Sequence, residues 1–429
     1  MTENLWKSHR ISRRAINGTI PALALAAILP ATPALAASQS ASTPTASPVT
    51  GNSDLDALLR PIVERKMDEL LVPGAVILLR NQEQEYLHTF GTRIIGQNDP
   101  ITIDDHFWIG SNTKTMTGTV LLQLVQEGLL SLDDPVSSFR DDIPNGENIK
   151  ISQLMDMSSG LHSYTELKAF NQTMDDEPEK VWQPEELLAI GIAEPPYFAP
   201  GEGFHYSNTN TVLFALIAEQ LTGKSIGDLM AERIFTPLGL TKTVFPAIED
   251  ASIPDPHPNG YMYGTNVSTL DTAVLSDADQ KAARDGSLLP NDVTKVNPSW
   301  AWAAGAASST AGELATYVEA LVGGGLLDAA IQEERLASLK PSSDAPGAAE
   351  YGLAIAKFGP FIGHDGSLPG YQSFMGNDPD TGTTLIVLTN LQSSPEGLAT
   401  ANEIARPIIA GLYGSPPQIA TPEASPFVK

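Results

Sequence analysis

The 429-residue sequence contains no cysteine, which excludes disulfides, thiolate metal sites and a cysteine nucleophile. Basic residues are also scarce: 25 Lys and Arg stand against 51 Asp and Glu, and the formal net charge is −26. Because phosphate binding needs clustered Lys and Arg, this balance argues against nucleic acid as a partner. The seven histidines are scattered and form no HExxH pattern, so we expect neither a metal nor another cofactor.

The sequence also lacks a hydrophobic run long enough to span a bilayer. Its N-terminus instead combines a basic stretch, a short apolar stretch at about 20–29 and the small-residue site Ala34-Leu35-Ala36. This pattern predicts a signal peptide over residues 1–36 and an exported protein, periplasmic or extracellular, without a transmembrane segment after signal removal. Arg13 and Arg14 leave twin-arginine export and ordinary secretion as two open routes.

Low-complexity segments flank the rest of the chain. Residues 37–52 are rich in Ser, Thr, Ala and Pro, and residues 415–429 have a similar composition. Neither segment has enough apolar residues to form a core. We therefore predict a disordered linker over 37–52, one catalytic domain over 53–414 and a flexible tail over 415–429.

Periodicity within residues 53–414 predicts the order of the elements. A helix over 55–71 precedes two strands, "GAVILLRN" and "EYLHTFGTRI", and helical patterns dominate residues 111–320. Strand patterns return as "EYGLAIAKF", "YQSFMGND" and "TTLIVLTNL", and a last helix follows them. Strands from both ends of the chain with helices between them predict an α/β arrangement, with an inserted helical subdomain and a cleft between the two parts.

The stretch "FWIGSNTKTMTG" contains a serine and a lysine three residues apart, Ser111 and Lys114. On a helix these positions share one face, so the two side chains can meet. A lysine held beside a helix N-terminus and away from water has a lowered pKa and can accept the serine proton. The alternative is that Ser111 is a helix N-cap and Lys114 a solvent-exposed lysine.

Two further motifs favour the catalytic interpretation. Ser111 to Lys114 is the only Ser-x-x-Lys, Tyr206 to Asn208 the only Tyr-x-Asn, and His364 to Gly366 the only His-x-Gly in the sequence. In this order they resemble the SxxK, YxN and KTG or HTG motifs of the serine β-lactamase and penicillin-binding superfamily. The resemblance is closest to the branch of class C β-lactamases and DD-carboxypeptidases, and it covers roughly residues 55–413.

The resemblance implies a β-lactamase/transpeptidase-like fold (α+β), with a mainly antiparallel sheet flanked by helices, and an acyl-enzyme mechanism. It implies that Ser111 is the nucleophile, and that a neutral Lys114 or an ionised Tyr206 takes its proton. It implies that Asn208 orients Lys114 and binds the acyl-side amide of the substrate. The N–H groups of Ser111 and Ser367 would form the oxyanion hole. His364, Asp365, Gly366 and Ser367 are the remaining candidate substrate-binding residues.

Asp365 departs from the motif, which usually has threonine at this position. An ionised Asp365 would repel a substrate carboxylate unless His364 or Lys357 neutralises it. This weakens the carboxypeptidase and β-lactamase alternatives and leaves room for esters, amides and amine-bearing substrates. Alternatively, Asp365 points away from the cleft and caps a turn.

Two competing hypotheses remain. Gly223 to Gly227, "GKSIG", fits the G-x-S-x-G nucleophile elbow, but a helix precedes Ser225 where the elbow requires a strand. We therefore expect Ser225 to be a helix N-cap. The second is a catalytically inactive peptidoglycan-binding or sensing module. Because Ser111, Lys114 and Tyr206 are intact, we favour a D-stereospecific peptidase of the D-alanyl-D-alanine carboxypeptidase type, with an esterase or a β-lactamase as alternatives. Its partner would be a small peptide, amide, ester or β-lactam substrate, including cell-wall peptides.

Overall fold

The computed structural model describes residues 53–345 and 348–413. The predicted signal peptide (1–36), linker (37–52) and tail (415–429) lie outside the described residues. Within the described ranges, no helix combines the length and the hydropathy needed to cross a membrane.

Thirteen α-helices and twelve strands, together with five short 3-10 or π helices, make up the described fold. The helices are α1 Ser53–Leu70, α2 Asn112–Gln126, α3 Ile151–Met155, α4 Lys168–Asp176, α5 Pro184–Ile192, α6 Asn208–Thr222, α7 Ile226–Met230, α8 Thr236–Leu238, α9 Asn266–Asp271, α10 Asp277–Arg284, α11 Ala311–Gly323, α12 Ala329–Ala337 and α13 Thr400–Tyr413. The strands are β1 Gly74–Arg80, β2 Glu85–Gly91, β3 Phe107–Trp108, β4 Tyr261–Met262, β5 Asn291–Asp292, β6 Ser308–Ser309, β7 Lys340–Pro341, β8 Glu350–Tyr351, β9 Ala356–Phe358, β10 Phe361–Leu368, β11 Tyr371–Asp378 and β12 Thr383–Thr389.

The main sheet has eight strands in the order β2-β1-β12-β11-β10-β9-β8-β7. Each neighbouring pair is antiparallel, and the first long strand, β1, lies beside the last, β12. The sheet is therefore closed by residues from both ends of the described chain, as the order of the sequence patterns predicts. The expected mainly antiparallel sheet is confirmed.

Successive side chains of the central strands point to alternate faces of the sheet, and each face carries its own hydrophobic core. On β1, Val76 and Leu78 belong to the core beneath α2 and α11, whereas Ala75, Ile77 and Leu79 belong to the core beneath α1 and α13. Successive side chains on a strand point to opposite faces, so an unbroken apolar run such as "AVILL" predicts burial on both faces. The sheet is accordingly the middle layer between helices.

Residues between β2 and β7 hold most of the helices, so the predicted inserted helical region is confirmed. Its helix α2 packs against both β10 and α6. The first turn of α2 is therefore placed where the sheet meets the helical region, and Ser111 immediately precedes this turn.

One predicted strand is wrong. "EYGLAIAKF" is not continuous but forms a hairpin of β8 and β9, in which Tyr351 pairs with Ala356. The turn is tight because Ala354 has a φ of +53° and the N–H of Gly352 donates to the carbonyl of Ile355. Arg335 of α12 donates to the carbonyls of residues 353 and 354 and holds the turn in place.

Candidate active site

The turn that carries Ser111 lies directly against β10. Gly110 has a φ of +54°, and a Cβ added there would lie 2.7 Å from the backbone nitrogen of Ser367. A Cβ on Gly366 would lie only 2.0 Å from the carbonyl oxygen of Ile109. Backbone can approach backbone this closely only because both residues lack side chains. The sequence-predicted residues Ser111, Gly366 and Ser367 are thus brought together, although they lie about 250 residues apart in the chain.

A buried side-chain clamp, which we did not predict from the sequence, fastens this turn to the sheet. The Asn112 amide donates to the carbonyl of Ile109 at 2.9 Å and to Ser373 Oγ on β11 at 2.7 Å. Ser373 Oγ in turn donates to the same carbonyl at 2.8 Å. The run "SNTKTMTGT" could have indicated such contacts, because polar residues that lie on every face of a helix predict buried hydrogen bonds.

The close contact of turn and strand leads to a first prediction. Gly366→Ala should displace the turn at Ile109, lowering activity at least tenfold and the free energy of unfolding by about 1–3 kcal/mol, because the added methyl overpacks the contact. Gly312→Ala, in α11, is the matched control, since nothing lies within 4 Å of a Cβ at that position. Hydrolysis rates and thermal melts of both variants measure the effect. A fully active Gly366→Ala variant would show that the close packing is not required.

Lys114 is completely buried and lies beside the serine. Its Nζ is 3.0 Å from Ser111 Oγ and donates to the carbonyl of Ala304 at 2.7 Å. Burial lowers the pKa of Lys114 well below its usual value, and the negative charge of Asp365 opposes this only in part. The lowered pKa favours the neutral amine, which is the form of Lys114 that can accept the serine proton. Ser111 itself makes no N-cap hydrogen bond, so the alternative of a helix cap with a solvent-exposed lysine is wrong.

The segment that holds Lys114 was not predicted from the sequence. It runs from Ala303 to Ala307 and follows α2 through hydrogen bonds: Thr117 Oγ1 donates to the carbonyl of Ala303, and Thr113 Oγ1 accepts from the N–H of Ala307. The Ala304 carbonyl that binds Lys114 is 190 residues away in the chain. Its only signal is the small-residue run "AAGAASS", which allows close packing against a helix.

Tyr206 closes the other side of the pair. Its ring centroid lies 4.9 Å from Lys114 Nζ, and the side chain is 9% exposed. Burial raises the pKa of Tyr206 well above 10, and the neighbouring Tyr351 raises it further, while a hydrogen bond with Ser111 lowers it in part. Tyr206 is therefore a neutral phenol at ordinary pH. Of the two bases left open by the sequence, the electrostatics favour the neutral Lys114 over an ionised Tyr206.

Asn208 is placed beside the site, but the expectation that it orients Lys114 is wrong. Its side-chain amide donates to Thr165 Oγ1 at 3.0 Å, and its N–H donates to Ser163 Oγ. The hydrogen bonds of Lys114 go to Ser111 and Ala304 instead. Asn208, the first residue of α6, therefore connects the segment 163–165 to the start of α6, which directly follows Tyr206.

His364 is buried below the site surface rather than exposed in it. Its Nδ1 lies 2.6 Å from the carbonyl of Asp365, which can only accept, so Nδ1 carries a proton. Its Nε2 lies 3.3 Å from the hydroxyl of Tyr351. Both ring nitrogens are engaged and the residue is 0% exposed, so a substrate group could reach His364 only by displacing protein atoms.

The Asp365 side chain points to the opposite face of the sheet, towards α13. Its Oδ2 accepts from the Asn402 amide at 2.7 Å, and it is 1% exposed. The alternative that it points away from the cleft therefore agrees with the structure, but its partner is a helix side chain rather than a turn. The expectation that Lys357 could neutralise Asp365 is wrong, because Lys357 pairs with Glu350 at 3.0 Å.

Ser367 is the one residue of β10 that is not buried. Within the described ranges, β9 pairs with β10 only from Phe361 to Gly363, so the end of β10 beside Ser111 has no neighbouring strand on that side. Such an edge can bind an extended substrate by strand addition. The Gln392 amide lies 3.4 Å from Ser367 Oγ and was not singled out in the sequence.

The competing serine does not lie in a nucleophile elbow. Ser225 follows α6 and its left-handed Gly223, and its Oγ accepts from the N–H of Asp228 at 3.1 Å. The prediction that Ser225 is the N-cap of α7 is confirmed.

Comparisons with known proteins agree with this geometry. A family model described as Beta-lactamase matches residues 59–408. A D-stereospecific amidohydrolase from Streptomyces sp. is similar in structure with a TM-score of 0.68 and 29% identity, covering 83% of this chain and 99% of that chain. The D-amino acid amidase from Ochrobactrum anthropi SV3 has a TM-score of 0.71 and 26% identity, covering 84% and 99%.

A third relative comes from sequence. Penicillin-binding protein 4* of Bacillus subtilis (strain 168) is 25% identical over 353 residues, which is 80% of this chain and 73% of that protein. The family match spans most of the chain and includes the Ser111 turn, the Tyr206 corner and the buried third motif. The chain therefore belongs to the beta-lactamase family and is a serine hydrolase of that family.

Proposed function

We propose that this protein is a D-stereospecific amidase or peptidase that hydrolyses amides of D-amino acids through an acyl-enzyme on Ser111. The observation that carries the proposal is the carboxylate of Glu166, which is partly exposed. It follows Thr165, the residue that accepts a hydrogen bond from Asn208, and it offers a site for a substrate ammonium group.

The proton transfers follow from the geometry. Neutral Lys114 accepts the proton of Ser111 as Oγ bonds to the substrate carbonyl carbon, and the N–H groups of Ser111 and Ser367 stabilise the oxyanion. When the C–N bond breaks, the leaving nitrogen takes the hydroxyl proton of Tyr206, which recovers a proton from the Lys114 ammonium. Water then repeats the sequence as the second nucleophile and releases the acid.

The third motif supports an amide substrate without a carboxylate. The two ring nitrogens of His364 contact the carbonyl of Asp365 and the hydroxyl of Tyr351, and the Asp365 side chain faces α13. Neither residue offers a cationic or hydroxyl group to a substrate carboxylate such as that of a β-lactam or a C-terminal D-alanine. This weakens the carboxypeptidase and β-lactamase alternatives for a different reason than charge repulsion in the cleft.

Glu166 provides the complementary charge. Burial alone would raise its pKa, but hydrogen bonds from His205 and Tyr197 outweigh burial and hold it below the usual value. The Tyr197 hydroxyl donates to one carboxylate oxygen at 2.6 Å, and His205 Nε2 lies 2.9 Å from the other. Because Thr165 binds Asn208, this ionised carboxylate lies next to the YxN motif. A substrate ammonium is the group that it fits.

The relatives point the same way, since two similar structures are named as a D-stereospecific amidohydrolase and a D-amino acid amidase. A panel of D- and L-phenylalanine amide, N-acetyl-D-phenylalanine amide, a D-Ala-D-Ala peptide, nitrocefin and p-nitrophenyl acetate tests the proposal. We expect D-phenylalanine amide to be hydrolysed at least tenfold faster than its L-isomer and than the N-acetylated amide. Faster hydrolysis of the D-Ala-D-Ala peptide would support the carboxypeptidase instead. Absence of all turnover and of probe labelling would support an inactive binding module.

A second prediction isolates the ammonium contact. Glu166→Gln should raise KM for D-phenylalanine amide about tenfold to a hundredfold, because a hydrogen bond to a charged group contributes roughly 1.5–3 kcal/mol. Hydrolysis of p-nitrophenyl acetate, which has no ammonium group, should change little. Glu185→Gln is the control, since Glu185 pairs with Arg140 on the exposed surface. Equal losses on both substrates would show that Glu166 has only a structural role.

We further propose that the enzyme acts outside the cytoplasm, supported by the leader pattern in residues 1–36. Cell fractionation with an antibody tests this, and an uncleaved cytoplasmic protein would contradict it.

A further inference from the structure

A tryptophan with an unusual backbone conformation lies two residues before the carbonyl that binds Lys114. Trp302 has a φ of +37°, in the left-handed region, although it is not a glycine. A bulky residue rarely adopts this conformation, because its Cβ crowds the backbone there. Such strain persists only where the surrounding structure enforces it, and it is concentrated at functional sites. The conformation of Trp302 therefore points to a tight turn that its surroundings impose.

Trp302 is the second residue of a turn that ends at Ala304. The N–H of Ala304 donates to the carbonyl of Ala301 at 2.8 Å. The N–H groups of Gly305 and Ala306 both donate to the carbonyl of Trp302, at 3.0 and 2.8 Å. The indole is 6% exposed and belongs to the hydrophobic core beneath α2 and α11. Packing of this side chain therefore anchors the turn in its left-handed form.

The turn aims two successive carbonyls at α2. The carbonyl of Ala303 accepts from Thr117 Oγ1 at 2.7 Å, and the carbonyl of Ala304 accepts from Lys114 Nζ at 2.7 Å. Because a carbonyl oxygen can only accept a hydrogen bond, Ala304 takes one N–H of the lysine amine. Fixing this hydrogen restricts rotation of the amine. Its lone pair is thereby held for Ser111 Oγ, which lies 3.0 Å from Nζ.

We propose that Trp302 is a positioning residue for catalysis: its left-handed turn aims the Ala304 carbonyl at Lys114 and thereby orients the amine that takes the serine proton. The inference rests on the proposed function, in which Lys114 is the base. Proton transfer requires a fixed geometry, and a misplacement of about 1 Å can cost on the order of 10²-fold in rate. Lys114 has further neighbours on separate elements, namely the ring of Tyr206 before α6 and the charge of Asp365 on β10. Substitution of Trp302 leaves both of these groups in the protein.

The test compares Trp302→Ala with Trp302→Gly in the full chain, by the pH dependence of p-nitrophenyl acetate hydrolysis. Both variants remove the indole, but alanine disfavours the left-handed conformation, whereas glycine adopts it without steric cost. We expect the plateau of kcat/KM to be about tenfold lower in Trp302→Ala than in Trp302→Gly. The acid limb of Trp302→Ala should also move about half a unit towards lower pH, because a carbonyl binds the ammonium of Lys114 more strongly than the amine and its loss lowers the pKa further. The acid limb of Trp302→Gly should coincide with that of wild type.

Gly305→Ala is the second variant if the Trp302 variants do not fold. A Cβ on Gly305 would lie 3.0 Å from the Cβ of Ala301 and 3.6 Å from the carbonyl carbon of Gly110. The added methyl therefore displaces the turn while the indole stays in the core. Its acid limb should move towards lower pH, as in Trp302→Ala. Gly312→Ala is the matched control and should keep the wild-type limb, since nothing lies within 4 Å of a Cβ there.

Equal plateaus and coincident acid limbs in Trp302→Ala and Trp302→Gly would overturn the proposal, since the indole would then serve only the core. An unmoved limb in folded Gly305→Ala would also overturn it. The ester has no D-centre and no ammonium, so a failure of the D-amide specificity leaves these outcomes unaffected. Wild type that is inert to the ester would instead contradict the proposed Ser111 mechanism, and the inference with it.

Discussion

Ser111→Ala is expected to abolish both turnover and covalent labelling by a fluorophosphonate probe. The Ser111 hydroxyl is the partly exposed nucleophile candidate of the site and lies 3.0 Å from the amine of Lys114. Loss of a nucleophile removes the acyl-enzyme route altogether, so we expect a decrease on the order of 10⁴-fold or more in kcat. Removing one hydroxyl creates no large cavity, so the melting temperature should remain close to that of wild type. Intact-mass spectrometry after incubation with the probe measures the labelling directly.

Ser225→Ala is the control for this experiment. Ser225 is the serine of the G-x-S-x-G pattern, but its Oγ caps α7. The variant should keep full labelling and lose about 1 kcal/mol of stability with the N-cap. If the probe labelled the Ser111→Ala variant but not the Ser225→Ala variant, Ser225 would be the nucleophile and the assignment of Ser111 would be wrong.

Lys114→Met is expected to lower kcat/KM by about 10³-fold and to change the shape of the pH profile. In wild type, Lys114 must be neutral to accept the serine proton. Activity should therefore rise as pH increases through the lowered pKa of Lys114, and it should fall as Tyr206 ionises above pH 10. Loss of a general base typically costs 10²–10⁴-fold. Methionine keeps most of the buried volume, so the variant should lose the acid limb without losing the fold.

Lys357→Met provides the matched control, because it removes a lysine of β9 that pairs with Glu350 and takes no part in the contact of Lys114 with Ser111. Its acid limb should coincide with that of wild type. If Lys114→Met retained the wild-type acid limb, the titrating base would be another group, and Tyr206 would be the first to examine by Tyr206→Phe.

Much of the local architecture could be predicted from residue patterns. The apolar run of β1 indicates a strand buried on both faces, and Gly223 after α6 indicates the end of a helix. The β8–β9 hairpin could not be predicted, because its turn depends on Arg335 from a separate helix. Patterns report a residue and its near neighbours in the chain, and this turn is held by a long-range contact.

The candidate site, too, was predictable from the sequence only in part. The three-residue spacing of Ser111 and Lys114, the lone YxN and the lone HxG are enough to indicate the family and the reacting groups. The direction of the Asp365 side chain, however, depends on which face of β10 lies against α13. The clamp of Asn112 on Ser373 joins residues 261 positions apart.

The sequence by itself determined that a serine, a lysine and a tyrosine with acyl-transfer spacing are present, because helix geometry brings positions i and i+3 together. Only the tertiary structure decided the direction in which the pKa values of the lysine and the tyrosine shift. Packing by distant segments excludes water from both groups, which lowers the pKa of Lys114 and raises the pKa of Tyr206. Desolvation depends on every atom around a group, and no local pattern contains that information.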